Sequence, residues 1–205
     1  STREHRRRLL PSAMVKDNRS ELEAEGGYLF RYPFQSGIIL FYYLLSFVVG
    51  TENYVALQMV NALALPLICY FLSKLTEDFW SDDAAFPAAA ALGVCLWVPM
   101  LYYTTYLYGE LPGMAFAVAA VYLVMRYLKS GKIRYSIGAA LCFGIAVVLK
   151  SNCLIYVVAM GCFLGYDAID SLLHRGREEG KRWLLSLLTI LLLVGGCAGF
   201  TKGYQ

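Results

Sequence analysis

Two charged side chains stand out because almost nothing charged surrounds them. From Ala84 to Met125 the only charged residue is Glu110, and from Tyr135 to Tyr166 it is Lys150. An ionisable group within or at the edge of a hydrocarbon slab costs about 2.5–3.5 kcal/mol at mid-helix, so each invites a chemical explanation. Glu110 sits in Tyr106-Leu107-Tyr108-Gly109-Glu110-Leu111-Pro112-Gly113. Gly109 permits a tight approach there, and an acid followed by Pro112 suits the first turn of a helix. Lys150 sits in Leu149-Lys150-Ser151-Asn152, a polar turn after an apolar run. Taken singly, each has a plain structural reading: a helix N-terminal acid for Glu110 and a snorkelling interface lysine for Lys150. Together, at turns on one face, a carboxylate and a cation near the interface can handle a phosphate-bearing amphiphile.

A third constellation runs Gly26-Gly27-Tyr28-Leu29-Phe30-Arg31-Tyr32-Pro33-Phe34-Gln35-Ser36-Gly37. Pro33 restricts Tyr32 to extended geometry, and Arg31 offers a permanent forked cation suited to phosphate. The aromatics also fit a simple anchor at headgroup level. Asp17, Glu21, Glu23 and Glu25 read as a solvated charged segment rather than a metal site, and His5 and His174 show no ligand spacing. No Walker loop, GxGxxG, GxSxG or HExxH is present. Cys69, Cys95, Cys142, Cys153, Cys162 and Cys197 are scattered singly through apolar stretches, as small buried hydrophobes are.

The elements that must position these residues follow from composition. The chain has 205 residues, 59% hydrophobic and 16% charged, whereas a soluble domain carries roughly 45–50% apolar and about 25% charged residues. The chain is therefore an all-α polytopic membrane bundle. Its net charge of +3 is too slight to point to nucleic acid. Six apolar runs are candidate transmembrane helices: Tyr54 to Ser73, Ala84 to Tyr103, Leu111 to Met125, Tyr135 to Leu149, Cys153 to Tyr166 with a polar extension to Leu173, and Trp183 to Phe200. Several are shorter than the ~20 residues a span needs, but flanking Tyr127, Lys129 and Tyr135 can reach the interface and lengthen them. A seventh stretch, Ile38 to Val49, falls short of a span and is rich in aromatics, which suits a juxtamembrane helix at the interface; the alternative is a spanning helix extended by Phe34 and Gln35, which would move the N-terminal segment inside.

Orientation follows from the basic loops. Arg126, Lys129, Lys132 and Arg134 flank one connection, and Arg175, Arg177, Lys181 and Arg182 another; parity puts both on one face, which the positive-inside rule makes cytoplasmic. Residues 1–53 then form an outer-face loop with the juxtamembrane helix, and residues 54–205 the transmembrane core, with the turns at Gly109 and Lys150 outside. The basic segment Arg3, Arg6, Arg7 and Arg8 opposes this placement.

The order of these features resembles the polytopic glycosyltransferases of the GT-C superfamily, in particular family 39-like members related to protein O-mannosyltransferases and lipid A aminoarabinose transferases. The resemblance rests on the Gly26 to Gly37 stretch, on Tyr103-Thr104-Thr105-Tyr106-Leu107-Tyr108-Gly109-Glu110-Leu111-Pro112-Gly113, and on Val148-Leu149-Lys150-Ser151-Asn152. It implies transfer of a sugar from a polyprenyl-phosphate donor to an acceptor at the outer face of a membrane, the bacterial plasma membrane here. It implies that Glu110 is a catalytic-site acid that helps hold the acceptor or a divalent cation, Mg or Mn. It also implies that Lys150 and Asn152, with Arg31 and Tyr32, bind the lipid phosphate. The family's main catalytic acid lies in a first outer loop, expected near or before Ser1, where only Glu4 stands. The chain is accordingly expected to be an incomplete and inactive core. Two other classes compete: a transporter or flippase-like bundle, which would place its charges near the midplane and show internal repeats, and a non-catalytic membrane scaffold.

Overall fold

The computed structural model describes residues 36–50, 53–79, 85–174 and 180–202, and no strand occurs among them. In chain order the helices are α1 Ser36–Val49, α2 Tyr54–Ala62, α3 Ala64–Phe79, α4 Ala85–Leu96, α5 Val98–Tyr103, α6 Glu110–Ser130 and α7 Ile133–Leu149, followed by a 3₁₀ turn Ser151–Cys153, α8 Leu154–His174 and α9 Gly180–Lys202. The all-α membrane bundle expected from composition is what the chain forms. The basic segment at Arg3 to Arg8, the acidic residues 17–25, His5, Arg31 and Tyr32 lie outside the described residues.

The centre is an antiparallel hairpin of α6 and α7. It turns at Gly131, which takes a left-handed φ of 66° and returns its N–H to the Tyr127 carbonyl at 2.7 Å, closing α6 as a glycine can at little cost. Lipid tails are as apolar as leucine, so helices in a bilayer gain little by hiding apolar area from one another and rely on close packing instead. The seam accordingly uses small residues: Ala117 and Ala120 of α6 are sealed against Ala139, Phe143 and Ala146 of α7. On the far side of α7, α9 approaches at Gly196, where an added Cβ would meet the Ala140 carbonyl at 3.5 Å. A buried hydrogen bond from Ser136 to the Thr189 hydroxyl (2.9 Å) joins α7 and α9, and Thr189 in turn donates to the Leu185 carbonyl at 2.8 Å. Leu141, Ile155, Val158 and Leu191 point outward as a lipid-facing surface.

Among the described residues, three helical stretches are long and apolar enough to cross a membrane: Tyr54–Asp78, Glu110–Ser130 and Ser151–Asp170. α7, with 17 residues, is about 25 Å long at 1.5 Å per residue, and it lies alongside α6 through the same slab. Helices extend past the apolar runs at both ends of α6 and α9 and at the start of α7, as interfacial Tyr, Lys and Arg allow. Two runs are interrupted. Leu63 separates α2 from α3 because Pro66 has no N–H to give the Ala62 carbonyl. The run from Ala84 to Tyr103 divides at Trp97 (φ −75°, ψ 91°), two residues before Pro99, into α4 and the six-residue α5. α1, with 14 residues, measures about 21 Å, short of the roughly 30 Å hydrocarbon core. Its inward face carries Ile38, Ile39, Tyr42 and Ser46, while Leu44, Phe47 and Val48 face out.

The basic connection between α6 and α7 gathers polar contacts at one end of the bundle. The Lys129 ammonium meets the Asp78 carboxylate at 2.9 Å and donates to the Asp78 carbonyl at 2.8 Å. The guanidiniums of Arg134 and Arg126 lie 4.9 and 6.0 Å from the centre of the Tyr135 ring. Because α6 and α7 run antiparallel, Glu110 and Lys150 are at the opposite end.

Candidate active site at the Glu110 end of the bundle

Glu110 is the first residue of α6. Gly109 caps the helix, its carbonyl accepting from the Gly113 N–H at 2.9 Å, and Pro112 falls in the first turn, where an absent N–H removes no helical bond. The carboxylate thus stands at the positive end of the helix dipole. Lys150 follows the last residue of α7 in extended geometry (φ −150°, ψ 111°), its N–H bonded to the Ala146 carbonyl and its own carbonyl accepting from Cys153. Its ammonium stands at the negative end of α7, so both charges suit the dipoles they terminate.

The two side chains meet directly: Lys150 Nζ donates to Glu110 Oε1. The pair is partly accessible, at 32% for Lys150 and 31% for Glu110. Glu110 Oε2 is buried and, among the described residues, has no hydrogen-bond partner. Leaving such an oxygen unsatisfied costs about 1–3 kcal/mol, so a hydrogen-bond donor placed beside it would be favourable.

Three glycines make this meeting possible by letting backbones touch around the end of α7. A Cβ on Gly109 would lie 2.1 Å from the Leu149 carbonyl oxygen, and one on Gly37 would lie 2.1 Å from that of Val148. A Cβ on Gly113 would press on Lys150 Cβ at 3.3 Å and Cys153 Sγ at 3.4 Å. The starts of α1 and α6 are therefore clamped onto the last turn of α7. Ile38, Ile39, Tyr42, Leu57 and Leu149 form a small core beneath the clamp, with Leu107 packed against it.

A polar network that the sequence reading did not single out supports the segment leading to Glu110. Tyr42, fully buried, donates its hydroxyl to Asn61 Oδ1 at 3.3 Å. Asn61 donates its amide to the carbonyls of Tyr103 (3.1 Å), Thr104 (3.3 Å) and Tyr106 (2.8 Å). Tyr54 and Gln58 donate to the Thr105 carbonyl at 3.2 and 2.6 Å. The available signal was three polar residues at spacings of four and three in an apolar run, one face of a helix. The hydroxyls of Tyr102 and Tyr106 lie 2.6 Å apart, and that hydrogen bond raises the Tyr106 phenol above its ordinary range.

Of the sequence-predicted site residues, the structure brings Glu110 and Lys150 into contact. It sets Asn152 at the same end, exposed in the 3₁₀ turn that follows Lys150. Arg31 and Tyr32 fall outside the described residues. For a divalent cation the set is thin. Among the described residues no group of three His, Cys, Asp or Glu side chains converges, whereas such ions take six or more oxygens. Glu110 would offer one oxygen, Oε2, while Lys150 holds the other against an incoming cation. These residues do not fit a divalent ion by themselves.

A helical membrane bundle with a charged pair at one end of its central hairpin, rather than at mid-depth, has the form of a membrane enzyme working at the interface. Residues 36–196 match the family model described as dolichyl-phosphate-mannose-protein mannosyltransferase, and the chain belongs to that family. It is thus a multi-pass membrane glycosyltransferase of the GT-C type. No curated protein and no solved structure matches the chain.

Proposed function

We propose that this protein transfers a sugar from a polyprenyl-phosphate donor to an acceptor at the outer face of the bacterial plasma membrane, at a site built around Glu110 and Lys150. The observation that carries the proposal is the ion pair between Lys150 and Glu110, with the carboxylate's second oxygen buried and unpartnered at the mouth of an apolar bundle. The basic end of the hairpin, at Lys129 and Arg134, belongs on the cytoplasmic side by the positive-inside rule, which puts Glu110 and Lys150 outside.

In this reading the acceptor hydroxyl attacks the anomeric carbon as the bond from that carbon to the phosphate oxygen breaks, with inversion. Charge grows on the departing phosphate, and a preorganised cation beside it stabilises the transition state more than the ground state. Lys150 supplies that cation, joined by Arg31; Asn152 and Tyr32 add hydrogen bonds to the phosphate. Glu110 orients Lys150 through Oε1 and faces the acceptor with its partly exposed carboxylate. The hydroxyl proton passes to a carboxylate that the family resemblance places upstream, so Glu110 shares the acid-base work rather than performing it alone. A divalent ion, Mg or Mn, is not needed to neutralise the leaving group when a lysine is already placed for it.

The transporter reading has less support: its charged groups belong near the midplane, and here both stand at helix ends. The test is transfer from a radiolabelled polyprenyl-phosphate sugar by the full-length protein. Glu110→Gln and Lys150→Ala should each lower it about a hundredfold or more with expression intact, a loss comparable to removing one stabilising donor. Retained transfer in both variants sinks the assignment.

A further inference from the structure

We propose that α2 is the positioning element of this site: its stripe Tyr54, Gln58 and Asn61, locked by Tyr42 of α1, sets the path of residues 103–109 and hence the place of Glu110. The proposal rests on the active-site reading above and assigns it residues that touch neither substrate nor the ion pair. At and just beyond the end of α5, the carbonyls of Thr104, Thr105 and Tyr106, and that of Tyr103, which also accepts from the Tyr106 N–H at 3.3 Å, receive donors from this one stripe. Asn61 is 2% exposed, so its two amide protons, shared among three carbonyls, have no water to fall back on. Its Oδ1 is taken by Tyr42, which fixes the amide's orientation and ties α1 into the same unit.

Downstream the geometry allows no slack. Leu107 is pinned in the core under the clamp, and Gly109 touches the Leu149 carbonyl two residues later. A shift of the Thr104 to Tyr106 carbonyls therefore passes to Glu110.

The experiment compares wild type, Asn61→Leu, Tyr42→Phe, Gln58→Leu and Glu110→Gln in the full-length protein in lipid nanodiscs, by transfer kinetics and by amide hydrogen exchange. Asn61→Leu should lower kcat about tenfold or more, because small misplacements at a reacting centre are that costly. It should leave the donor KM within about threefold, since the phosphate-binding residues are untouched. Exchange should rise in a peptide covering residues 103–109 and stay unchanged across residues 116–128 and 136–147. Tyr42→Phe and Gln58→Leu, each losing one bond, should shift kcat and the same peptide in the same direction by less, and they carry the test where Asn61→Leu fails to fold. A kcat within about twofold of wild type in all three variants overturns the proposal, as does a loss accompanied by faster exchange throughout α6 and α7. If Glu110→Gln retains transfer, it is the active-site reading that fails, whatever the exchange of residues 103–109 shows.

Discussion

Lys150 and Glu110, forty residues apart in sequence, join the end of α7 to the start of α6 through one ion pair. The contact is the consequence of an antiparallel hairpin whose two strands of chain are brought to van der Waals distance by alanine and glycine. It converts two isolated charges in a hydrophobic sequence into a single site.

The orientation of the pair should matter as much as its existence. Exchanging the charges, with Glu110→Lys and Lys150→Glu together, restores an ion pair but sets each charge against its helix dipole. The double variant should recover about 1 kcal/mol of the stability lost in the single variants, as measured by a double-mutant cycle of thermal unfolding in detergent, followed by a structural rather than an activity signal. Its transfer activity should stay at background. Recovery of transfer would show that any ion pair here suffices and that neither residue has a distinct part.

Gly109→Ala should be among the most damaging single-methyl changes in the chain. The new Cβ would need to lie 2.1 Å from the Leu149 carbonyl oxygen, so the starts of α6 and the end of α7 must part. Transfer should fall about a hundredfold, while Gly93→Ala, where nothing lies within 4 Å, should stay near wild type. Equal effects of the two substitutions, read in the same assay, would remove the close approach from the account.

Much of this was legible in the sequence, and what was not has identifiable causes. Apolar run length gave the bundle, and charge scarcity gave Glu110 and Lys150. Loop parity put them at one end, where the structure finds them in contact. Pro66 and Pro99 each sit a few residues inside an apolar run, and run counting weighs hydropathy without asking which carbonyl loses its donor; hence the breaks at Leu63 and Trp97 were not foreseen. The Tyr42 and Asn61 network escaped notice because both residues are uncharged, and their meaning depends on carbonyls more than forty positions away. The pairing of Lys129 with Asp78 likewise joins helices whose adjacency no local pattern announces.

The buried hydrogen bond between α7 and α9 should be a stability feature only. Ser136→Ala removes the donor to Thr189, whose own bond to the Leu185 carbonyl remains. The expected cost is about 0.6 kcal/mol, the average for such bonds in membrane bundles, measured by thermal inactivation, with kcat unchanged. A large fall in kcat without loss of stability would mean that α9 is coupled to the site.

At the other end, Lys129→Ala should change transfer by less than about twofold, because its partner Asp78 is remote from Glu110 and partly exposed ion pairs are worth at most about 1 kcal/mol. Loss of transfer on a par with Lys150→Ala would indicate that the chemistry is not confined to the Glu110 end.

The central claim, that Glu110 and Lys150 form one site on the outer face, is tested most directly by labelling single cysteines from outside intact cells with a membrane-impermeant thiol reagent. The positions are Tyr108, Ser151 and Ser130, all exposed, in a full-length background stripped of the native cysteines. The account predicts that cysteines at 108 and 151 react and that one at 130 reacts only after the membrane is breached. Labelling of 130 from outside, with 108 and 151 protected, would place the ion pair in the cytoplasm and contradict it.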